Sequence, residues 1–255
     1  MKRGDAGNPG AFGRSLRRKT FDALLHGLAG MAGGLPVLRR RRGEFTLEAD
    51  VVYARPGGEA LALDVFRPRG PGPHPVILYI HGGGFAVCSR QTHRPVAALY
   101  AARGYLVFNI DYRLAPRHRF PAALEDAGAA WRWLGENLVR FGGDPARVTV
   151  AGESAGANLA LGLLLCLCSP RPEPWAADLH ASALRPAAAL LYCGFLQTSR
   201  PERYRREGVS ALAAAIARDA AIDYLGEGAA RPRPDQALAD PLCVVEAMAA
   251  DPGLP

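Results

Sequence analysis

The stretch VTVAGESAGANLALG, Val148 to Gly162, contains the pattern that decides the fold. Its first four residues form a β-branched apolar run that predicts a strand, and the Ala- and Leu-rich run after Ser154 predicts a helix. A strand that turns directly into a helix through a serine between two glycines is typical of a nucleophile elbow. Such a turn strains the serine backbone and leaves little room beside it, which small residues at 152, 155 and 156 satisfy. Ser154 is therefore the candidate nucleophile.

A glycine-rich loop, His81-Gly82-Gly83-Gly84-Phe85, follows a buried apolar run upstream of the elbow. Its bare N–H groups could hold an oxygen that becomes negative in a transition state. A flexible phosphate-type loop or a simple turn is the alternative. Because the glycines end a strand and precede a Gly-x-Ser-x-Gly turn, the arrangement expected of lipases and esterases, we predict an oxyanion hole. His81 itself is predicted to be structural, with its ring orienting the loop.

Strand patterns alternate with helical patterns between residues 45 and 195. The alternation predicts an antiparallel pair of strands at 45–53 and 61–65, then strands at 75–80, 105–110, 148–151 and 187–193. Helices are predicted at 95–103, 121–138 and 155–168. This order indicates an α/β fold with a mostly parallel central sheet and flanking helices.

Charge and cysteine content exclude several classes of protein. Residues 1–43 carry a net charge of +8, whereas the whole chain carries +7. The remaining residues therefore carry −1 together and are close to neutral. No pattern indicates nucleic-acid binding, a metal site or a cofactor. Five cysteines in mostly apolar runs predict buried free thiols in a reducing compartment, and hence a cytoplasmic protein. No apolar stretch reaches the length of a membrane-spanning helix.

The basic N-terminal arm contains apolar residues at helical spacing. Residues 1–20 are predicted to be disordered at the start, and an amphipathic helix is predicted to end at Gly33-Gly34. Its apolar positions are Phe21, Leu24, Leu25, Leu28 and Met31. A lid over the active site is the favoured interpretation. A membrane-surface helix attracted to anionic lipid and a plain packing helix are the alternatives.

Five motifs occur in one order: HGGGF at 81–85, DYRLAP at 111–116, FPA at 120–122, FGGDP at 141–145 and GESAG at 152–156. Together they resemble the hormone-sensitive-lipase-like esterases of the α/β-hydrolase fold. The resemblance implies a serine carboxylesterase for short- or medium-chain acyl esters, small-molecule substrates, with a helical cap and no cofactor. It also implies a set of roles: Ser154 as nucleophile; Gly83, Gly84 and Ala155 as oxyanion-hole donors; His81, Gly82, Gly152, Glu153 and Gly156 as supporting motif residues.

Other motif residues are given structural roles. The DYRLAP run is predicted to fix a turn beside the active site. Glu125 and Asp126 are predicted to suit the dipole at the start of their helix, without a chemical role.

The other two members of a catalytic triad are missing from the pattern. In this fold the acid and then the histidine follow the serine. His180 is the only later histidine, and the helix after Ser154 carries the chain about 20 Å away before it. Asp240 lacks the apolar strand that should precede the acid. We therefore expect a C-terminally truncated hydrolase, lacking the last strands and helices, with the catalytic Asp and His beyond residue 255.

We expect a basic arm with a cap helix at residues 1–44, and a hydrolase domain at 45–255. A cap insertion is expected at about 196–238, with a helix ended by Gly226; a packing helix without ligand contact is the alternative. The same apparatus could transfer acyl groups or cleave amides. The alternative from another class is a catalytically impaired or non-catalytic protein that binds a small apolar ligand. Truncation would also expose an apolar sheet edge. The oligomeric state is not determined by the sequence.

Overall fold

One mixed sheet of six strands forms the centre of the molecule. The computed structural model describes residues 9–200, 210–227 and 234–249. The strand order is β1-β2-β4-β3-β5-β6, with β1 antiparallel to β2, β2 antiparallel to β4, and the other pairs parallel. The strands are β1 Phe45–Ala54, β2 Leu61–Pro68, β3 His74–Ile80, β4 Leu106–Ile110, β5 Gly143–Glu153 and β6 Ala188–Tyr192. The predicted antiparallel pair and the parallel centre are confirmed.

Seven helices are described: α1 Pro9–Gly33, α2 Pro36–Arg41, α3 Arg90–Ala101, α4 Ala122–Asn137, α5 Ala155–Cys168, α6 Ala211–Leu225 and α7 Pro241–Ala249. The predicted disorder is wrong for residues 9–20, which are helical, and residues 1–8 lie outside the described ones. The predicted start of α3 at Pro95 is also wrong. Thr92 Oγ1 accepts a hydrogen bond from the Ser89 N–H at 3.1 Å, so the helix begins before the proline and includes it.

The core lies on both faces of the central strands. Along β3, alternate side chains enter two clusters: Val76, Leu78 and Ile80 face α4 and α5, whereas Ile77 and Tyr79 face α3. All five are almost fully buried. Burial on both faces explains why the sequences of the inner strands are continuous apolar runs. The sequences of β1 and β2, at the outer side of the sheet, alternate between apolar and polar residues.

The β6 strand is the edge of the sheet in the described part of the chain. Four of its five residues are exposed, including Leu190 and Tyr192. An exposed apolar edge of this kind was expected from the sequence, and an unpaired edge strand is a template for pairing with another strand.

None of the five cysteines forms a disulfide in the described part of the chain, as predicted. The prediction that they are buried holds for Cys88 and Cys166 only. Cys168 is exposed because it is the last residue of α5, and Cys193 is exposed because it follows the β6 edge.

Among the described residues, no single helix is long and apolar enough to cross a bilayer. One bent pair, Gly13–Gly33 with Leu38–Glu44 at 63°, passes by length and composition alone.

The start of α5 packs against the end of β3 without any intervening side chain. Strands β3 and β5 run in register from Val76 opposite Val148 to Ile80 opposite Gly152. A Cβ atom on Gly156 would overlap the carbonyl oxygen of Ile80 and lie 2.5 Å from that of His81. A Cβ atom on Gly152 would overlap the Gly156 carbonyl. Glycine at both positions is a steric requirement of this fold.

The substitution Gly156→Ala is expected to destabilise the protein by about 3 kcal/mol, because backbone must move to admit the methyl group. The matched control is Gly135→Ala on α4, where the nearest atom to a new Cβ, on Leu184, is 3.9 Å away. That change should stabilise by about 0.5–1 kcal/mol through helix propensity. Urea unfolding followed by circular dichroism measures both. Equal effects of the two substitutions would contradict the steric argument.

Candidate active site

Ser154 occupies a strained turn between β5 and α5. Its backbone angles are φ 51° and ψ −115°, which a residue with a side chain rarely adopts. Hydrogen bonds on both sides hold it there: the Ser154 N–H donates to Tyr192 O at 2.8 Å, and its carbonyl accepts from Phe195 N–H at 3.1 Å. The β6 strand and the segment after it therefore fix the turn that the sequence predicted.

The glycine loop lies directly beside this turn. A Cβ atom on Gly82 would lie 3.0 Å from both the carbonyl oxygen and Oε1 of Glu153. Gly83 and Gly84 have φ values of 109° and 58°, and Gly83 O accepts from Val87 N–H at 3.0 Å. Within the described chain, no acceptor is hydrogen-bonded to the N–H groups of Gly83, Gly84 or Ala155. These three donors are available to an oxygen from outside.

His81 is buried beneath the loop. Its ring stacks on Tyr112 at 4.3 Å and on His93 at 5.5 Å, and Nδ1 lies 2.7 Å from Gly82 O. The side chain is 1% exposed, and burial lowers its pKa to about 3. The ring is therefore neutral near pH 7 and braces the glycine loop, in line with a structural role.

A contact between His93 and Glu153 was missed from the sequence. His93 Nε2 lies 2.8 Å from Glu153 Oε1, and this hydrogen bond lowers the pKa of the Glu153 carboxyl. The contact joins α3 to the residue before Ser154. His93 was missed because the predicted start of α3 lay after it, and because 60 residues separate the partners.

The DYRLAP run holds the loop from its other side. The Tyr112 hydroxyl donates to His81 O at 3.0 Å, and Asp111 pairs with Arg90 of α3. Arg113 pairs with Glu125 at 2.9 Å and with Asp126 at 2.8 Å. The structural interpretation of the run is supported. The two acids also have a more specific role than the predicted one at a helix start, because they hold Arg113.

Helix α6 packs on the glycine loop. Tyr224 stacks on Phe85 with ring centroids 3.7 Å apart, and its carbonyl accepts from Phe120 N–H at 3.0 Å. A Cβ atom on Gly84 would lie 3.2 Å from Ala220 Cβ. The predicted helix in the 196–238 segment is confirmed, and it contacts the loop at its predicted donors.

No histidine hydrogen-bonds to Ser154. All six histidines of the sequence lie in the described part of the chain, and none of them contacts Ser154 through a hydrogen bond. They are His26, His74, His81, His93, His118 and His180. His180 Nδ1 lies 3.3 Å from the carbonyl oxygen of Leu167, near the far end of α5. The prediction that His180 is remote from Ser154 is confirmed.

Asp240 has a structural environment. Its carboxylate accepts hydrogen bonds from the backbone N–H groups of Thr198 at 2.5 Å and Ser199 at 2.9 Å, and it is buried. It thus holds the segment after β6 against the start of α7. Among the described residues there is also no group of three or more His, Cys, Asp or Glu side chains that could hold a metal ion.

Comparisons with known proteins identify the family and the fold. A family model described as alpha/beta hydrolase fold matches residues 77–254. Carboxylesterase NlhH from Mycobacterium tuberculosis is 49% identical over 87 residues, which cover 34% of this chain. An ethyl acetate hydrolase from Pseudomonas putida is 38% identical over 116 residues, 44% of this chain. The matched segments span only 27% and 36% of those two relatives.

Among solved structures, an esterase from Pyrobaculum calidifontis has a TM-score of 0.66 and 27% identity. The match covers 93% of this chain and 71% of that one. A bacterial heroin esterase has a TM-score of 0.63 and 28% identity, with 82% and 62% covered.

The buried neutral His81 should make stability depend on pH. Its pKa is about 3 in the folded protein, against 6.5 ordinarily, so between these values the unfolded chain binds the proton and stability falls as pH falls. The loss should be about 2 kcal/mol between about pH 7 and about pH 5. Urea unfolding at both pH values measures it. In His81→Phe, which keeps the stacked ring, this part of the pH dependence should disappear. If the free energy of unfolding fell equally with pH in both proteins, the loss could not be due to His81.

Proposed function

The chain belongs to the α/β-hydrolase family, and we propose that it is a carboxylic ester hydrolase that acts through an acyl-enzyme at Ser154. The observation that carries the proposal is the strained Ser154 turn beside three N–H groups that donate to no acceptor in the described part of the chain. Strain of this kind is kept at sites where it serves a function. Backbone donors that are already in place stabilise a developing oxyanion without reorganisation.

In the proposed reaction, Ser154 Oγ attacks the ester carbonyl carbon and loses its proton to a base. The N–H groups of Gly83, Gly84 and Ala155 stabilise the negative oxygen of the tetrahedral intermediate. That intermediate collapses, the alcohol leaves with a proton, and an acyl group remains on Ser154. Water then attacks the acyl carbon by the same route and releases the carboxylic acid.

We propose that the base and its orienting acid come from residues other than those of this sequence. His81 is a poor base, because its pKa is about 3 and its ring is enclosed by Tyr112 and His93. His93 is engaged by Glu153. A general base is most effective when its pKa lies near the working pH, which excludes His81, and the Nε2 atom of His93 is already held by Glu153.

We propose small-molecule esters with short- or medium-chain acyl groups as substrates. The proposal is supported by the names of relatives, which include a carboxylesterase and an ethyl acetate hydrolase.

In our proposed division, a basic arm with a cap helix occupies residues 1–44 and the hydrolase domain occupies 45–255. The cap insertion lies at about 196–238. The position of α6 on the glycine loop is consistent with a cap that selects the acyl or alcohol group.

We propose a cytoplasmic location, because five cysteines without a disulfide among them are typical of a reducing compartment.

Hydrolysis of 4-nitrophenyl acetate should depend on Ser154 and should be stimulated by added imidazole, which can supply a base. We expect the rate with imidazole to exceed that of Ser154→Ala with imidazole by about tenfold, since a free base replaces only part of the 10²–10⁴-fold effect of a positioned one. The matched control is Ser169→Ala at the other end of α5, which should behave as the unmodified chain.

Equal rates for the unmodified chain and Ser154→Ala would contradict the proposed nucleophile and favour a ligand-binding protein. Full activity without imidazole, lost in Ser154→Ala, would keep the nucleophile but contradict the proposed source of the base.

A further inference from the structure

Helix α1 turns its polar side chains toward the body of the protein. Asp22 Oδ1 accepts a hydrogen bond from Cys88 N–H at 2.7 Å, and His26 Nε2 lies 3.1 Å from Ser89 Oγ. Arg18, one turn earlier on the same face, pairs with Asp223 of α6 at 2.9 Å. These contacts fix the rotation of the helix about its axis.

The opposite face of α1 is apolar and exposed. It consists of Phe21, Leu24, Leu28 and Met31, which we call the apolar stripe. Their exposed fractions run from 44% for Phe21 to 66% for Met31. The sequence grouped Phe21, Leu24, Leu25, Leu28 and Met31 on one face, but Leu25 is only half-buried and is not part of the exposed stripe. The other four face away from the protein, which the sequence did not predict. Along the axis the stripe extends for about 15 Å.

Unpaired positive charge follows the stripe. Arg39, Arg40 and Arg42 are exposed on α2 and just after it, and within the described chain none of them pairs with a carboxylate. By contrast, the arginines of α1 at 14, 17 and 18 are all paired with acids. Asp22 is the only acid between residues 9 and 42, and it faces the body.

We propose that the apolar stripe and the three arginines form a docking surface for an anionic phospholipid bilayer. The helix would lie in the interface plane, with its stripe among the acyl chains and Arg39, Arg40 and Arg42 at the phosphate groups. Charge favours this partner over a second copy of the chain, since two copies would bring two sets of unpaired arginines together. The proposal extends beyond ester hydrolysis and does not depend on it.

Docking would place the bilayer near the candidate active site. Cys88 and Ser89, which α1 contacts, lie three and four residues after the glycine loop that carries Gly83 and Gly84. The surface would therefore hold the site beside the lipid interface, where apolar esters partition.

Vesicle flotation of the 255-residue protein tests the proposal. We expect binding to vesicles of equal parts phosphatidylcholine and phosphatidylglycerol, weak binding to phosphatidylcholine alone, and release by salt. The triple substitution Arg39→Gln/Arg40→Gln/Arg42→Gln should lower the vesicle–water partition coefficient about 100-fold, because each arginine near an anionic surface contributes about 1 kcal/mol to binding. Leu24→Ser/Leu28→Ser/Met31→Ser should lower it at least about tenfold.

The matched controls are Val139→Ser and Arg140→Gln, which change an exposed valine and an exposed arginine outside the docking surface. Both should bind as the unmodified protein does. Circular dichroism should show that all variants keep their helices, since the substituted side chains are exposed.

Three outcomes would overturn the proposal: no binding to anionic vesicles, equal loss in the control variants, or binding that is unchanged in both triple variants. Concentration-dependent dimerisation on gel filtration that disappears in the stripe variant, without vesicle binding, would assign the surface to a second copy instead.

Discussion

The close packing of α5 against the carboxyl end of β3 is the constraint on which the rest of the site depends. Gly152 and Gly156 let two backbone segments approach at a distance that no Cβ atom would permit. This approach forces Ser154 to a positive φ and sets the first turn of α5 beside the glycine loop. Since protein interiors are close-packed and yield little, Ser154 and the N–H groups of Gly83, Gly84 and Ala155 are held in one rigid arrangement.

A buried polar network keeps that arrangement in place. Tyr112 bonds the backbone of His81, whose ring stacks between Tyr112 and His93, and His93 bonds Glu153. Loop, helix and elbow are thereby linked through rings and hydrogen bonds. Such a network stabilises one conformation only if its members are satisfied, and a neutral His81 avoids the cost of a buried charge. The histidine of the HGGGF motif is thus part of the support for the site.

The N-terminal helix and α6 form one assembly over the glycine loop. Arg14, Arg17 and Arg18 of α1 each pair with an acid on or just after α6, and Tyr224 of α6 stacks on Phe85. Two of these ion pairs have one largely exposed side chain and contribute little, whereas the Arg18–Asp223 pair is partly buried. The stacked rings and the backbone hydrogen bond at Phe120 hold α6 on the glycine loop, while α1 leaves its apolar stripe toward the solvent.

The sequence alone determined the elbow, the glycine loop and the order of strands and helices, because short-range sterics and the periods of strand and helix are local properties of the chain. It also indicated that His180 cannot reach Ser154, since helix length is fixed by residue count. Only the tertiary structure decided which way the amphipathic α1 faces. Periodicity predicts which residues share a face of a helix, but it does not predict what that face packs against.

Long-range pairing was likewise decided only in the fold. His93 meets Glu153 across 60 residues, and Asp240 binds the segment after β6 across about 40, through contacts that no local pattern encodes. The sequence predicted that the histidine partner of Ser154 is absent, but only the tertiary structure shows that none of the six histidines hydrogen-bonds to Ser154. Side-chain chemistry can be read from residue types, but the distance between two groups is set by how the whole chain packs.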